Sequence, residues 1–506
     1  MSFNQAIKGT LLPKIPLKSL TELDTSKAGS NNDGNSNTSR VDNKDKPSTG
    51  QKTGANKPYV KISGQPLSKI ETLTIDETGF LPKISMIFID ELGEFAGDYY
   101  PKTNLIMNVY LKSGSEKFKP IRCDFIITSM KAMPRSYNGT DSAAGSSTTY
   151  MVKGELYIPH LYDLTAVSYA NMTSKRALIK ICDELGLGFA ENEYTTNDKM
   201  TWVNANLSYC ELMQEIADHA YQNDDSFFIA FIDKYYYLNF IEVNSQLKIE
   251  EMQDTFVTSS NSLMKDLSQA AVEQTGAIRE TIEDTVIYNY LTTEMQRKSD
   301  SNFIYELALA SDHGRIIRNQ GYKKEVYYYD HLKNDSEPAK KFTNFFIEPL
   351  KSEDRDNDNF LIPDEEALIT NTSTKWMCID YGNTHPEWNA ARLLNRHNIQ
   401  ELDKLKLRAV NKNINFQVSR GFAVPIYVTM HQAQKLFKTS TGLNKPDKDV
   451  EQIPDIDLAK EVSDEQLTGF YFLSGTKYHY DVLSASPLKT ELFLSRREWK
   501  PSKITE

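Results

Sequence analysis

The sequence predicts an α+β protein that is predominantly β, with two antiparallel β-rich regions flanking an α+β module and a low-complexity arm at the N-terminus. Three observations predict it. Short strand-like runs separated by turn residues fill about residues 59–165 and return after residue 276. Between them, two amphipathic helical patterns precede one hairpin pattern. Residues 29–58 are rich in Gly, Ser, Asn, Asp, Lys and Pro and carry almost nothing to bury, the composition of a disordered linker. The expected divisions are therefore an arm and linker at 1–58, a first β domain at 59–165, an α+β module at 166–275 and a second β-rich domain at 276–506. The last carries long polar insertions at 331–365 and 440–465.

At 506 residues the chain suits about three domains. It contains no run of about 18 apolar residues, and its start lacks the apolar stretch and cleavage site of a classical signal, so stable membrane insertion and secretion are not expected. The chain is expected to be made and kept in the cytosol. The four cysteines, Cys123, Cys182, Cys210 and Cys378, form no CxxC pair, so neither disulfides nor structural zinc are expected. The formal net charge of -11 comes from interspersed acidic and basic residues, which argues against gripping a phosphate backbone by counterion release.

The arm opens with a short apolar series, Phe3, Ile7, Leu11, Leu12, Ile15 and Leu17, expected to anchor it on a neighbouring chain. From Tyr59 the pieces ETLTIDE, PKISMIFID, TNLIMNVYLKS, IRCDFIITSM and TTYMVKGELYIP follow as strands of a small antiparallel barrel or sandwich. In the third, Leu105, Met107, Val109 and Leu111 alternate with Ile106, Asn108 and Tyr110, so one face is apolar and the other mixed. An acidic loop with Asp90, Glu91, Glu94 and Asp98 separates two of them.

In the module, Ala177, Leu178, Ile181 and Leu185 form one helical stripe that stops at Gly186. Ser208 and Glu211 make a capping box for a second helix, whose stripe is Leu212, Met213, Ile216, Ala217 and Ala220. His219 reads as a partly exposed helix residue. The run Phe227–Ile232 is apolar on both faces, Asp233 and Lys234 supply a turn, and Tyr235–Val243 returns. Strands that want cover on both sides make Phe227, Ile229, Phe231, Tyr235 and Tyr237, together with Phe3, Ile7 and Leu11 of the arm, the candidate interface residues. Beyond residue 276 strand patterns resume, among them TGFYFLSGTKYHYDVLS and LKTELFLSRREW, and HPEWNAARLLNRHN (385–398) is the one clear helical insertion.

No HExxH, GxSxG, Walker A or strand–GxGxxG–helix pattern is present, so no catalytic residue and no cofactor is assigned. His385 and His397 are spaced to point in different directions on a continuous helix, and no third ligand joins them. Paired carboxylates in the 90–98 loop suit an exposed connection better than glycoside hydrolysis.

Several stretches together resemble the central hub proteins of contractile phage tails and related injection machines, the late-control protein D and VgrG-like family. They are GELYIPHLYD (154–163), SKRALIKICDELGLGFAENE with TNDKMTW, the 202–243 unit, GNTHPEWNAARLLN, RGFAVPIYV and LFLSRREW. The resemblance implies a non-enzymatic structural protein of the virion baseplate. It implies two tail-tube-like β-barrels per chain, and a homotrimer whose six barrels adapt a sixfold tail tube to a threefold central spike. The implied partners are the tail-tube, spike and tape-measure proteins and neighbouring baseplate proteins, with DNA only in passage. Two other readings are a peripheral baseplate or receptor-binding protein and a tail-associated cell-wall hydrolase.

Overall fold

A computed structural model describes residues 8–15, 58–67, 69–90, 95, 105–111, 121–133, 148–192, 195–223, 226–247, 256–257, 304–310, 323–330, 340–345, 373–380, 384–402, 405–411, 420–421, 423–427, 429–431, 461–463, 467, 469–484 and 487–496. Phe3, Ile7, nearly all of the 29–58 linker and most of the two polar insertions lie outside these residues.

The arm contributes one strand, β1 (Lys8–Leu11). The first β region follows as β2 (Tyr59–Ile62), β3 (Gln65–Pro66), β4 (Lys69–Asp76), β5 (Lys83–Asp90), β6 (Ile106–Leu111), β7 (Ile121–Ala132) and β8 (Thr148–Leu156). The alternation in β5 is regular: Ile84, Met86 and Phe88 are buried while their neighbours are half-buried, as a strand with one core face requires. In β6 the expected apolar face is buried at Met107, Val109 and Leu111. Asn108 and Tyr110 of its mixed face are buried too, and Asn108 Nδ2 donates to the Asp124 carboxylate across the β6–β7 ladder at 2.7 Å. A satisfied amide–carboxylate bond lets a polar residue leave water.

The module runs β9 (Leu164–Thr165), β10 (Ser168–Met172), α1 (Ser174–Leu185), β11 (Gly188–Glu191), β12 (Met200–Val203), β13 (Leu207–Ser208), α2 (Tyr209–Asp218), β14 (Phe228–Ile232), β15 (Tyr237–Glu242) and the short α3 (Val243–Leu247). Thr173 caps α1, and Gly186 ends it in the left-handed conformation at φ 71°. The Ser208–Glu211 capping box forms in both directions at the start of α2. The stripes predicted for both helices are the buried ones. The four-stranded sheet has the order β1-β11-β15-β14, with β11 parallel to β15.

The second β region comprises β16 (Phe256–Val257), β17 (Ile304–Ala310), β18 (Lys323–Asp330), β19 (Lys340–Phe345), β20 (Ser373–Asp380), α4 (Trp388–Leu402), β21 (Leu405–Asn411), β22 (Ala423–Tyr427), β23 (Thr429–His431), β24 (Glu461–Ser463), β25 (Gly469–Asp481) and β26 (Leu488–Arg496). The predicted helix at 385–398 is α4, which starts three residues later and ends four residues later, with Ala391 and Leu394 buried. Part of the insertion at 331–365 is strand: β19 pairs with β18, which also pairs with β20.

The architecture is mostly β-sheet, and it departs from two separate barrels. Strands of both regions belong to one thirteen-stranded sheet, with the main path β17-β21-β26-β25-β4-β5-β8-β7-β6-β2-β3. Among the described residues this path does not close. The join is the antiparallel pair β4–β25, from Lys477↔Asp76 to Asp481↔Thr72. The residues on β25 before this stretch pair instead with β22, so one side of a single long strand serves both regions in turn. Lys477 and Asp76 form an ion pair across the join at 3.1 Å, and Thr74, His479 and Glu491 hydrogen-bond in a row across β4, β25 and β26.

Candidate functional site at the sheet junction

The β14–β15 hairpin was expected to turn at Asp233 and Lys234, and it does, but the turn is not in solvent. Asp233 fixes it by accepting from the N–H of Tyr235 at 2.8 Å, the N–H of Tyr237 at 3.0 Å and Asn239 Nδ2 at 3.1 Å. Tyr236 adopts the left-handed region at φ 64°, which closes the turn. The ladder then resumes from Ile232↔Leu238.

Fixed in this way, the turn drives Lys234 into the sheet junction, where the side chain is 2% exposed. Its Nζ donates to Glu77 Oε2 at 3.1 Å and to Tyr478 Oη at 2.9 Å, while its own N–H donates to Glu77 Oε1 at 3.0 Å. Glu77, just past β4, is tied to β25 as well. Its N–H donates to the Thr476 carbonyl at 2.9 Å, and its carboxylate accepts from Thr476 Oγ1 at 2.9 Å. The same turn reaches β7. Tyr236 Oη accepts from the Asp124 N–H at 2.9 Å, and Cys123 Sγ donates to the Lys234 carbonyl at 3.1 Å. One four-residue turn thus holds the first β region, the module and the second β region together.

Burial opposes the charge on Lys234, but the Glu77 carboxylate, with Tyr478 and Tyr235 beside it, outweighs burial and holds the ammonium well above its usual range. Burial, then the Glu77 charge, pushes the Cys123 thiol far up, so it stays neutral. A charged amine and a neutral thiol are both poor nucleophiles. The cluster is chemically suited to clasping.

A second polar cluster docks α4 on the end of α2. Asn395 Nδ2 donates to the carbonyls of Asp218 at 2.9 Å and Ala220 at 3.1 Å, its Oδ1 accepts from the Phe228 N–H at 3.0 Å, and His385 Nε2 donates to the His219 carbonyl at 3.1 Å. These satisfy orphan carbonyls at a helix C-terminus. His219 is only 3% exposed, not partly exposed as expected, because it stacks on Trp388 at 3.6 Å between ring centres. Its Nδ1 donates to the Glu215 carbonyl at 2.9 Å. Burial holds the imidazole down to about 3, and burial lowers His385 as well. No cluster of metal-ligating side chains occurs among the described residues, and the side chain of His397 lies outside them.

The candidate interface residues divide. Leu11 is half-buried on β1, and Ile229, Tyr235 and Tyr237 are half-buried. Phe227 is fully buried among Val243, Leu402 and Phe472. Phe231 is buried with Ala190 and Ile241, under the Arg420 guanidinium at 4.5 Å. For these two phenylalanines, the cover assigned to a neighbouring chain comes from this chain itself. Asp90 of the acidic loop is buried and accepts from the Phe95 N–H at 2.9 Å, a structural use of that carboxylate.

No protein-family model matches this chain, and no curated protein matches it. Among solved structures it is similar to the tail protein from Neisseria meningitidis MC58, at 9% identity and a TM-score of 0.45, over 88% of this chain and 97% of that one. It is similar to the 43 kDa tail protein of prophage MuSo2 from Shewanella oneidensis, at 9% identity and 0.46, over 87% and 98%. An Escherichia coli component of the type VI secretion system gives 9% and 0.38, over 88% and 79%.

Lys234→Met leaves the Glu77 carboxylate buried and unpaired, and should cost roughly 3–5 kcal/mol in a urea titration. Adding Glu77→Gln should cost less than the sum of the two single changes by about 2 kcal/mol, since both act on one interaction; strict additivity would contradict the clasp. Because the folded Lys234 is raised, its contribution is complete below the unfolded lysine value of about 10.4 and lost as pH climbs beyond it. The wild type should lose stability above about pH 10.4 more steeply than Lys234→Met.

His219 has the opposite sign. Held low in the fold, it leaves stability intact above its unfolded value of about 6.5 and withdraws it as pH falls toward its folded value. Between pH 6.5 and 4, His219→Phe should lose about 3 kcal/mol less than wild type, judged by chemical denaturation at each pH. Equal acid sensitivity would refute the assignment.

Proposed function

We propose that this chain is the structural hub of a phage-tail baseplate, three copies closing into a ring that adapts a sixfold tail tube to a threefold central spike and surrounds the channel. The observation that carries the reading is the β4–β25 join. On each side of it the sheet begins with a hairpin, β4–β5 on one side and β25–β26 on the other. The join sets two such hairpins side by side within one chain. One chain therefore carries two neighbouring hairpin-led sheet units, and three chains carry six, which is what a threefold body needs to meet a sixfold one. The stretches that resemble the hub family supply independent support, since several of them coincide with the module and with α4.

In this reading the two halves correspond to the two tube-like units of a hub, fused edge to edge. The partners are the tail-tube protein on one side, the spike on the other, and neighbouring baseplate proteins, with the tape-measure protein and DNA passing through. The net charge of -11 suits a channel wall that does not hold nucleic acid. The junction is a clasp whose cationic amine stays charged and whose thiol stays neutral, which fits a mechanical role.

The purified chain should have the mass of a trimer by light scattering, or trimerise when mixed with a spike protein. It should also bind duplex DNA no tighter than about 10⁻⁴ M at physiological salt, the weak end of non-specific binding. Sixfold or no rotational symmetry of this chain in an intact particle, or tight salt-sensitive duplex binding, would overturn the reading.

A further inference from the structure

A groove opens beside the arm strand. Its volume is about 470 Å³, inside the roughly 300–1,000 Å³ of ordinary ligand clefts. Leu11 of the arm walls it on one part, Ala170, Asn171 and Met172 of β10 on another, and α1 supplies the rest. The floor is apolar, since Leu11, Met172 and Ile179 are half-buried and pack against the main core cluster.

The β10 wall is a sheet edge. Among the described strands β10 pairs with β12 alone, and that ladder matches Ser168, Tyr169 and Met172 but steps over Ala170 and Asn171, both exposed. No residue of β12 borders the groove, so the groove lies along the side of β10 that β12 leaves open. Exposed edges are ordinarily guarded by charged side chains, lysine above all. From Leu164 to Met172 there is no charged residue. An unguarded edge is the surface to which an extended peptide adds itself as a further strand.

Arg176 and Lys180 stand at the rim, both exposed. They are four residues apart on α1, hence neighbours on one face, and like charges so placed repel. The nearby carboxylates are committed elsewhere: Asp183 to Lys14 at 2.6 Å, Glu191 to Lys175 at 2.6 Å, and Glu184 to the hydroxyls of Tyr169 and Tyr209. Lys180 Nζ lies 5.2 Å from the centre of the Tyr169 ring, a contact that leaves its charge in place. On a chain of net charge -11, this pair of cations beside an apolar floor is complementary to an anionic partner with apolar side chains. Alternate residues of a strand share a face and stand about 6.6 Å apart, close to the roughly 5–6 Å between Cβ atoms four apart on a helix. In a strand laid over α1, carboxylates at every second position therefore meet Arg176 and Lys180 in turn, while the residues between them face the floor.

We propose that this groove takes an extended segment of a partner protein, one that alternates carboxylates with aliphatic residues and pairs with β10 as a third strand beside β12. The groove is complete within one chain, so its occupancy does not depend on the ring of three.

The test titrates the full chain into a short fluorescent peptide of alternating valine and aspartate and reads anisotropy. Saturable binding of one peptide per chain is expected below about 1 mM; no saturation by that concentration overturns the proposal. Arg176→Glu with Lys180→Glu should weaken binding about tenfold or more, whereas Lys131→Glu, an exposed charge reversal elsewhere, should leave it unchanged. Equal losses in the two variants would make the attraction diffuse and overturn the groove as its seat. A second measurement needs no substitution: a peptide of alternating valine and lysine should not bind the unmodified chain, and binding as tight as that of the aspartate peptide contradicts the charge assignment. The amide I band of the aspartate peptide, labelled with carbon-13, should move to the β-sheet position on binding, and a bound peptide that stays disordered contradicts strand pairing. A single-stranded oligonucleotide that displaces the peptide and binds more tightly would assign the two cations to phosphate and overturn the proposal as well.

Discussion

The rest of the structure depends on one buried ion pair, Lys234 with Glu77, seated where the two β regions meet the module. Taking an ammonium and a carboxylate out of water costs several kcal/mol each, which their mutual attraction recovers only with good geometry and with the remaining donors and acceptors satisfied. Here they are satisfied. Tyr478 Oη accepts from the amine, while the Lys234 N–H and Thr476 Oγ1 fill the other lone pairs of the carboxylate. Such a pair is sensitive to register. A one-residue slip of β25 against β4 would send Thr476 and Tyr478 to the opposite face and strand two charges. A hydrophobic patch could supply comparable stability, but it would tolerate a slip, and specificity of register is the attested use of buried polar groups.

The join has a consequence for assembly. Two separate domains on a linker can rock against each other, whereas two regions sharing a ladder from Asp76 to Thr72 and a clasp behind it move as one body. The ring adapter proposed above would need this rigidity, because its two sheet units would have to keep a fixed spacing for six to look alike to a tube. The α4 helix adds a second tie. Asn395 and His385 cap the end of α2 from a distance of more than 160 residues in sequence, so the module is held by the second β region at its helices as well as at its hairpin.

What the sequence disclosed was whatever is local. The Ser208–Glu211 box, the Gly186 stop, the helical stripes and the β5 alternation are all decided within a few residues, and they stand where the pattern puts them. What it hid was cover from far away. Lys234 reads as a surface turn because charged turns face water, and nothing near it announces Glu77 some 150 residues earlier or Tyr478 more than 240 later. Phe227 and Phe231 read as residues awaiting a partner for the same reason, since Phe472 and Arg420 are remote in sequence. The β4–β25 pairing, across about 400 residues, joins regions that periodicity could only describe as two. The alternation of Thr476, Tyr478 and Tyr480 was a usable signal of one buried face with hydroxyls in it. It named the face, but not its occupant.

Native-state hydrogen exchange of three amides tests the clasp most directly: Glu77, which donates to Thr476; Lys234, which donates to Glu77; and Asp124, which donates to Tyr236. If one interaction holds the three regions, these amides open together, with free energies within about 1 kcal/mol of one another and close to that of global unfolding. Protection that differs widely among them, with Lys234 exchanging by a small local opening while Glu77 and Asp124 remain closed, would show that the regions stand without the clasp.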